Sequence, residues 1–226
     1  MKILPLIFAV ITIIAPVITQ KTGLSKKYGI PLKMLCAAFY LITGILSAVA
    51  FGTVTDYCLM MLGALVLGFL GDFFLDFRKN KLFPAGVAFF ALGHIAFSIA
   101  FLLAGESKAL SHIGAVTGLT LVIMAAIVIF AKVKLRLSGK KNMLLLYAVV
   151  LVFAFSCAVV RGAAELFAGN KPFGLCLIAG GVLFFASDIM IGVEKGGMKR
   201  PEFLHYAVSY TYFAAQSLFA LSILFQ

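Results

Sequence analysis

Eight apolar runs, separated by short loops, constrain this chain more than any other feature of its sequence. They span approximately residues 3–19, 31–51, 57–76, 82–104, 112–131, 143–161, 173–193 and 203–225. About 20 apolar residues carry an α-helix across a bilayer, and lipid leaves no other way for an open segment to satisfy its backbone. The 226 residues are 63% hydrophobic and 12% charged, against about 45–50% and about 25% in soluble domains. The expected fold is all-α: one transmembrane domain, residues 1–226, built as a polytopic bundle of eight helices. Met1-Lys2 followed by an apolar run also resembles a signal peptide, but no A-x-A cleavage site follows.

Loop charge sets the expected orientation. The loops after the odd-numbered runs hold 14 of the 19 basic residues, among them Lys26, Lys27, Arg78, Lys140, Lys141 and Lys199. Basic loops stay in the cytoplasm, so both termini are expected outside it. Short loops and the lack of a sorting signal suit a multi-pass protein of a bacterial inner (plasma) membrane, with the endoplasmic reticulum as the alternative. The net charge of +11 is dispersed over these loops without interleaved aromatics, so no nucleic-acid partner is expected. The bilayer itself is the expected environment. Cys36, Cys58, Cys157 and Cys176 show no metal or redox spacing and read as small apolar fillers.

Two aspartates interrupt these runs: Asp72 in LVLGFLGDFFL and Asp188 in GVLFFASDIMIG. A carboxylate at bilayer depth costs at least about 2.5–3.5 kcal/mol, so one kept there marks a functional site or a helix–helix hydrogen bond. Asp72 precedes Arg78 by six residues and Asp188 precedes Lys195 by seven. At about 1.5 Å per residue both lie about 10 Å inside the cytoplasmic ends of their helices. Small residues recur on the same faces: Ala64 and Gly68 before Asp72, and Gly180 and Gly192, in one stripe with Phe184, around Asp188. Such stripes mark close helix contacts. An offset of 116 superposes Asp72 on Asp188 and roughly aligns the two halves, a faint 4+4 parallel repeat.

Other polar residues fall on a few helices. Tyr40, Thr43 and Ser47 line one side of the second, His94 lies mid-way along the fourth, and Tyr212 and Gln216 lie on the eighth. Unpaired, such groups would cost several kcal/mol in an apolar medium. Arg161 and Glu165, spaced i, i+4, suit an interfacial ion pair. His94, His112 and His205 sit at three different depths, which argues against a three-ligand zinc site; no metal is expected. No G-x-S-x-G or Walker sequence occurs. GFLGD lacks the G-x-G-D pattern of intramembrane aspartyl proteases, and Ser187 replaces the tyrosine expected before Asp188.

Four motifs in order, GFLGD (68–72), GVAFFALGH (86–94), G-x-L-F-x-x-S-D (181–188) and Y-x-x-A-Q (212–216), resemble the lysoplasmalogenase family of membrane proteins. The resemblance covers most of helices 3, 4, 7 and 8. It implies an ether hydrolase of lipid metabolism that cleaves the vinyl ether bond of lysoplasmalogens to a fatty aldehyde and a glycerophospho-alcohol, without a cofactor. Its polar set maps onto Asp72, His94, Asp188 and Gln216, with Tyr212 and Ser187 beside them; Phe97 stands where a tyrosine would be expected. Asp72, Asp188 and His94 are the expected catalytic residues. Gln216, Tyr212, Ser187, Tyr40 and Lys33 are the expected contacts to a lysophospholipid substrate, Lys33 with Arg78, Lys81 and Lys195 through its phosphate. One aspartate would donate a proton and the other, ionised, would direct water; which does which stays open. Buried acids in a repeat also suit a proton-coupled lipid or small-molecule transporter.

Orientation is directly testable. Alkaline phosphatase, active only outside the cytoplasm, is expected to be active when fused after Gln226 and inactive when fused after Arg78; the opposite pattern would invert the topology.

Overall fold

The computed structural model describes residues 2–76, 82–104, 109–134, 141–195 and 202–226, without the side chains of 25–28, 76, 109–112, 130–134, 141–144, 193–195, 202, 203 and 205. Arg78 and Lys81, and the side chains of Lys195, His112 and His205, therefore lie outside the described residues. The elements among the described residues are eight helices: α1 (Ile3–Lys21), α2 (Leu24–Phe51), α3 (Asp56–Asp76), α4 (Phe83–Leu103), α5 (Ala109–Lys134), α6 (Lys141–Phe167), α7 (Lys171–Lys195) and α8 (Glu202–Phe225). Among the described residues seven are long and apolar enough to cross a membrane; the apolar stretch on α5, Ile113–Ile129, is shorter. The protein is a polytopic bundle of membrane helices.

Local chemistry explains where the chain breaks. α2 is interrupted at Gly29, whose φ of 44° lies outside the helical region. Glycine carries no Cβ to oppose that angle, and Pro31 just beyond it cannot donate to the preceding turn. A short leading piece is thereby set at an angle to the span that begins after it. The far end of α2 stops at Gly52 (φ 90°), whose N–H bonds the Ala48 carbonyl at 3.1 Å, a left-handed stop that glycine permits.

Helix contacts follow the order of the two halves. α1 packs on α2 and α5 on α6; α2 packs on α3 and α6 on α7; α3 packs on α4 and α7 on α8. Across the halves, α2 lies against α8 and α6 against α4. A two-fold exchange of α1–α4 with α5–α8 generates this pattern, as the 116-residue offset anticipates. α1 and α3 break it by packing also on α8.

Glycine brings these helices close. A Cβ on Gly174 of α7 would stand 2.6 Å from the Gly162 carbonyl of α6, and one on Gly162 would stand 2.8 Å from the Gly174 carbonyl. Gly71 lies under Phe90, Gly86 under Leu75 and Gly180 under Phe219, each with room for no side chain. Lipid tails are as apolar as leucine, so such close van der Waals contact, rather than apolar burial, drives helix association. The small-residue stripe on α3 is buried as expected at Ala64, Gly68 and Asp72. On α7 it ends at Asp188, because a Cβ on Gly192 would meet nothing within 4 Å. At the centre, Phe97, Phe101, Phe184 and Phe219 form one aromatic cluster, with Phe97 and Phe219 centroids 4.8 Å apart.

Since the nearest obstructing atom is the backbone carbonyl of Gly162, Gly174→Val is expected to force α6 and α7 apart. Overpacking of this kind costs about 1–3 kcal/mol; thermal unfolding in detergent should show a lowered midpoint, whereas Gly192→Val should leave it close to wild type.

Candidate active site

Asp72 sits four residues before the end of α3, is 2% exposed, and faces α2 and α8. Its Oδ2 accepts a hydrogen bond from Tyr212 Oη at 2.7 Å. Lys33 Nζ of α2 lies 3.0 Å from Oδ1, and an ammonium at that distance balances the charge of an ionised carboxylate. One turn along α8, Gln216 Nε2 donates to Tyr212 Oη at 3.0 Å. Tyr40, two turns after Lys33 on α2, meets Tyr212 edge to face with centroids 6.5 Å apart. The bare Cα of Gly68 lets the Gln216 amide in: a Cβ there would be 2.7 Å from Nε2.

Asp188 has partners of its own. Its Oδ2 accepts a short hydrogen bond from Tyr147 Oη of α6 and lies 3.2 Å from His94 Nε2 of α4. His94 Nε2 is also 3.1 Å from Tyr147 Oη. With Tyr147 donating to Asp188, an Nε2–H on His94 finds two acceptors, the carboxylate and the phenol oxygen. The side chains of His94 and Asp188 are 3% and 7% exposed. Each carboxylate thus has its own set of donors.

The two clusters obey one rule. Each aspartate, on the third helix of its half, is held by the second helix of that half (Lys33 or Tyr147) and by the fourth helix of the other (Tyr212 or His94). Phe184 joins them, with its ring 4.8 Å from His94 and 5.5 Å from Tyr212. Beside His94 a small apolar crevice lies between α4, α6, α7 and α8, walled by Phe97, Leu151, Gly181, Phe184 and Phe219 among others.

The expected residues divide accordingly. Asp72, Lys33, Tyr40, Tyr212 and Gln216 come together, and Asp188 joins His94. Ser187 stands apart: it donates to the Val208 carbonyl at 3.3 Å and ties α7 to α8. Lys33 contacts Asp72 while its side chain keeps 32% exposure, so a role toward a phosphate is compatible with the ion pair. Arg161 and Glu165 form their ion pair within α6. Among the described residues no group of three or more His, Cys, Asp or Glu could hold a metal.

Tyr147 is the residue the sequence reading missed. Its signal was the repeat, since Tyr147 lies 114 residues after Lys33, close to the offset relating the aspartates. It also places a phenol hydroxyl against His94, while Phe97, where a tyrosine was expected, is buried in the aromatic cluster.

Fold and site together define a polytopic helical membrane protein with two buried, separately partnered carboxylates. The chain belongs to the YhhN family, whose family model matches residues 29–223. That family includes lysoplasmalogenases. Neither the comparison with curated proteins nor that with solved structures gave a match.

The ion pair is separable from the rest of the site. Lys33→Ala leaves a buried charge less compensated, so it should destabilise the wild-type protein more than the Asp72→Asn protein. A double-mutant cycle on thermal or denaturant unfolding is expected to give a coupling of about 1–3 kcal/mol; additive effects would mean that the pair contributes little.

Proposed function

We propose that this protein is a membrane ether hydrolase that cleaves the vinyl ether bond of lysoplasmalogens, releasing a fatty aldehyde and a glycerophospho-alcohol. The observation that carries the reading is the unequal partnering of the two aspartates, one beside an ammonium and one beside an imidazole and a phenol, in a family that includes lysoplasmalogenases.

Vinyl ethers break once a proton reaches the β-carbon, because the resulting oxocarbenium ion is open to water. The reaction needs a proton donor and, close by, a base that is ionised when water attacks. Asp188 fits the donor, since His94 and Tyr147 can hand it a replacement proton and carry the charge left behind. Asp72 fits the base, because Lys33 offsets its negative charge while Tyr212 fixes the orientation of the carboxylate.

In this scheme Asp188 transfers its proton to the β-carbon and the double bond becomes an oxocarbenium ion. Water bonds to the cationic carbon and gives its proton to Asp72. Asp72 then protonates the glycerol oxygen as the carbon–oxygen bond breaks, and Asp188 recovers the hydroxyl proton as the aldehyde carbonyl forms. Both carboxylates end as they began, with one water consumed. Lys33, partly exposed at the end of the bundle where α3 and α7 terminate, is available to the headgroup phosphate. The basic loops assign that end to the cytoplasmic leaflet.

Asp72→Asn and Asp188→Asn are each expected to lower aldehyde release from a lysoplasmalogen by about 100-fold or more in purified, folded protein; Tyr147→Phe should lose less. Near-wild-type turnover in both asparagine variants would overturn the scheme. Wild-type protein that releases no aldehyde but takes up lipid in response to a proton gradient would be a carrier instead.

A further inference from the structure

Lys33 differs from the other lysines with described side chains in where its amine is held. It stands four residues past the break at Gly29, in the first turn of the continuous span. A lysine that close to a helix end ordinarily runs along apolar surface and keeps its head in water. Lys2, Lys21 and Lys171 are exposed in that way. Lys33 instead brings Nζ to 3.0 Å from Oδ1 of Asp72 on α3, although its side chain keeps 32% exposure. Asp72 itself is 2% exposed. A primary amine on a partly exposed side chain therefore stands beside a buried proton acceptor.

An amine so placed has chemistry that contact with a phosphate does not use. Lysine amines in poorly solvated sites condense with carbonyl compounds. The hydrolysis scheme above makes a carbonyl carbon close by. Water that gives its proton to Asp72 stands within about 3 Å of it, and the carbon attacked is one bond further. Nζ of Lys33 lies 3.0 Å from the same carboxylate. Lys33 can thus meet the phosphate before cleavage and the aldehyde once the glycerophospho-alcohol has left.

We propose that Lys33 is a covalent capture site for fatty aldehyde, holding it as an iminium with Asp72 as counter-ion. The proposal rests on the hydrolase reading for the source of the aldehyde, and on the Lys33–Asp72 geometry for the reactivity. Asp72 accepts a proton from the ammonium, and the nitrogen lone pair bonds to the carbonyl carbon. The carbonyl oxygen takes that proton from Asp72, giving a carbinolamine. Asp72 then moves a second proton from nitrogen to the hydroxyl group, which leaves as water while the carbon–nitrogen double bond forms. One ammonium and one aldehyde become one iminium and one water, with no change in net charge. The ion pair between α2 and α3 survives, because the iminium is still a cation facing the same carboxylate. Water reverses the steps. While the adduct lasts, Asp72 is tied to it, so the aldehyde limits its own production.

The test traps the iminium with hydride from cyanoborohydride, in purified protein kept in amine-free detergent and buffer. One arm adds hexadecanal; in the other a lysoplasmalogen is the only source of aldehyde. Peptide mass spectrometry compares alkylation of Lys33 with that of the exposed Lys2, Lys21 and Lys171 in the same molecules. With hexadecanal, Lys33 is expected to react at least about 10-fold faster than those three, and Asp72→Asn to remove the advantage. A rate at Lys33 no higher than theirs would overturn the proposal, as would an advantage that Asp72→Asn leaves intact. The comparison is internal, so wild type alone decides it if Asp72→Asn does not fold. Lys33→Arg keeps a cation beside Asp72 but forms no imine. Preincubation with hexadecanal should slow wild type reversibly and leave Lys33→Arg at its own untreated rate; equal slowing of both would refute the self-limitation. Alkylation of Lys33 by hexadecanal but none from lysoplasmalogen, with no aldehyde released, would retain the capture site and refute the hydrolase.

Discussion

A carboxylate surrounded by hydrocarbon must find donors on neighbouring helices, and this requirement organises the bundle. Asp72 has an ammonium and a phenol; Asp188 has a phenol and an imidazole. Those donors come from four helices other than the two bearing the aspartates. Satisfying the carboxylates therefore fixes how α2, α4, α6 and α8 sit against α3 and α7. Removing one partner would expose the other to the cost of an uncompensated buried charge, so each cluster is held as a unit.

Glycine makes that convergence possible. Tyr212 reaches Asp72 across a helix interface with Gln216 bonded behind it, and Gly68 yields its side-chain space to the Gln216 amide. Gly162 with Gly174, and Gly180 with Phe219, bring α6, α7 and α8 to similar closeness. Polar satisfaction and close backbone approach are thus one design: the hydrogen bonds span short distances because the helices carry little between them. The exchange of partners between halves gives two related clusters, and their different side chains allow different chemistry. Lysine on α2 favours a fixed negative charge at Asp72. Tyrosine and histidine instead surround Asp188 with hydrogen-bonding groups.

The helices were legible in the sequence because a bilayer sets their length and excludes other backbone structure. Their ends agree with expectation to within a few residues except near α2, where Gly29 turns an anticipated loop into a short helical lead, and at α6, which runs six residues beyond residue 161 to Phe167. Asp72 and Asp188 were legible because charge is rare in such runs, and the stripes that accompany them showed which faces are buried. Lys33 was read toward a substrate phosphate; its ion pair with Asp72 was invisible, since nothing in a sequence measures the approach of α2 to α3. Ser187 sits beside Asp188 in the chain, yet a neighbouring residue on a helix points about 100° away, and its hydroxyl serves α8 instead.

The sequence alone determined that this chain forms a bundle of membrane helices, and it set the expectation that two acids lie at similar depth in it with the basic loops on one side. Those properties follow from hydropathy, helical rise and charge counting, which are local or additive along the chain. Tertiary structure decided which donors each acid receives, because a hydrogen bond depends on distances of a few ångströms between helices far apart in sequence. Tyr147 and His94 at Asp188, and Lys33 and Tyr212 at Asp72, all arise from that packing.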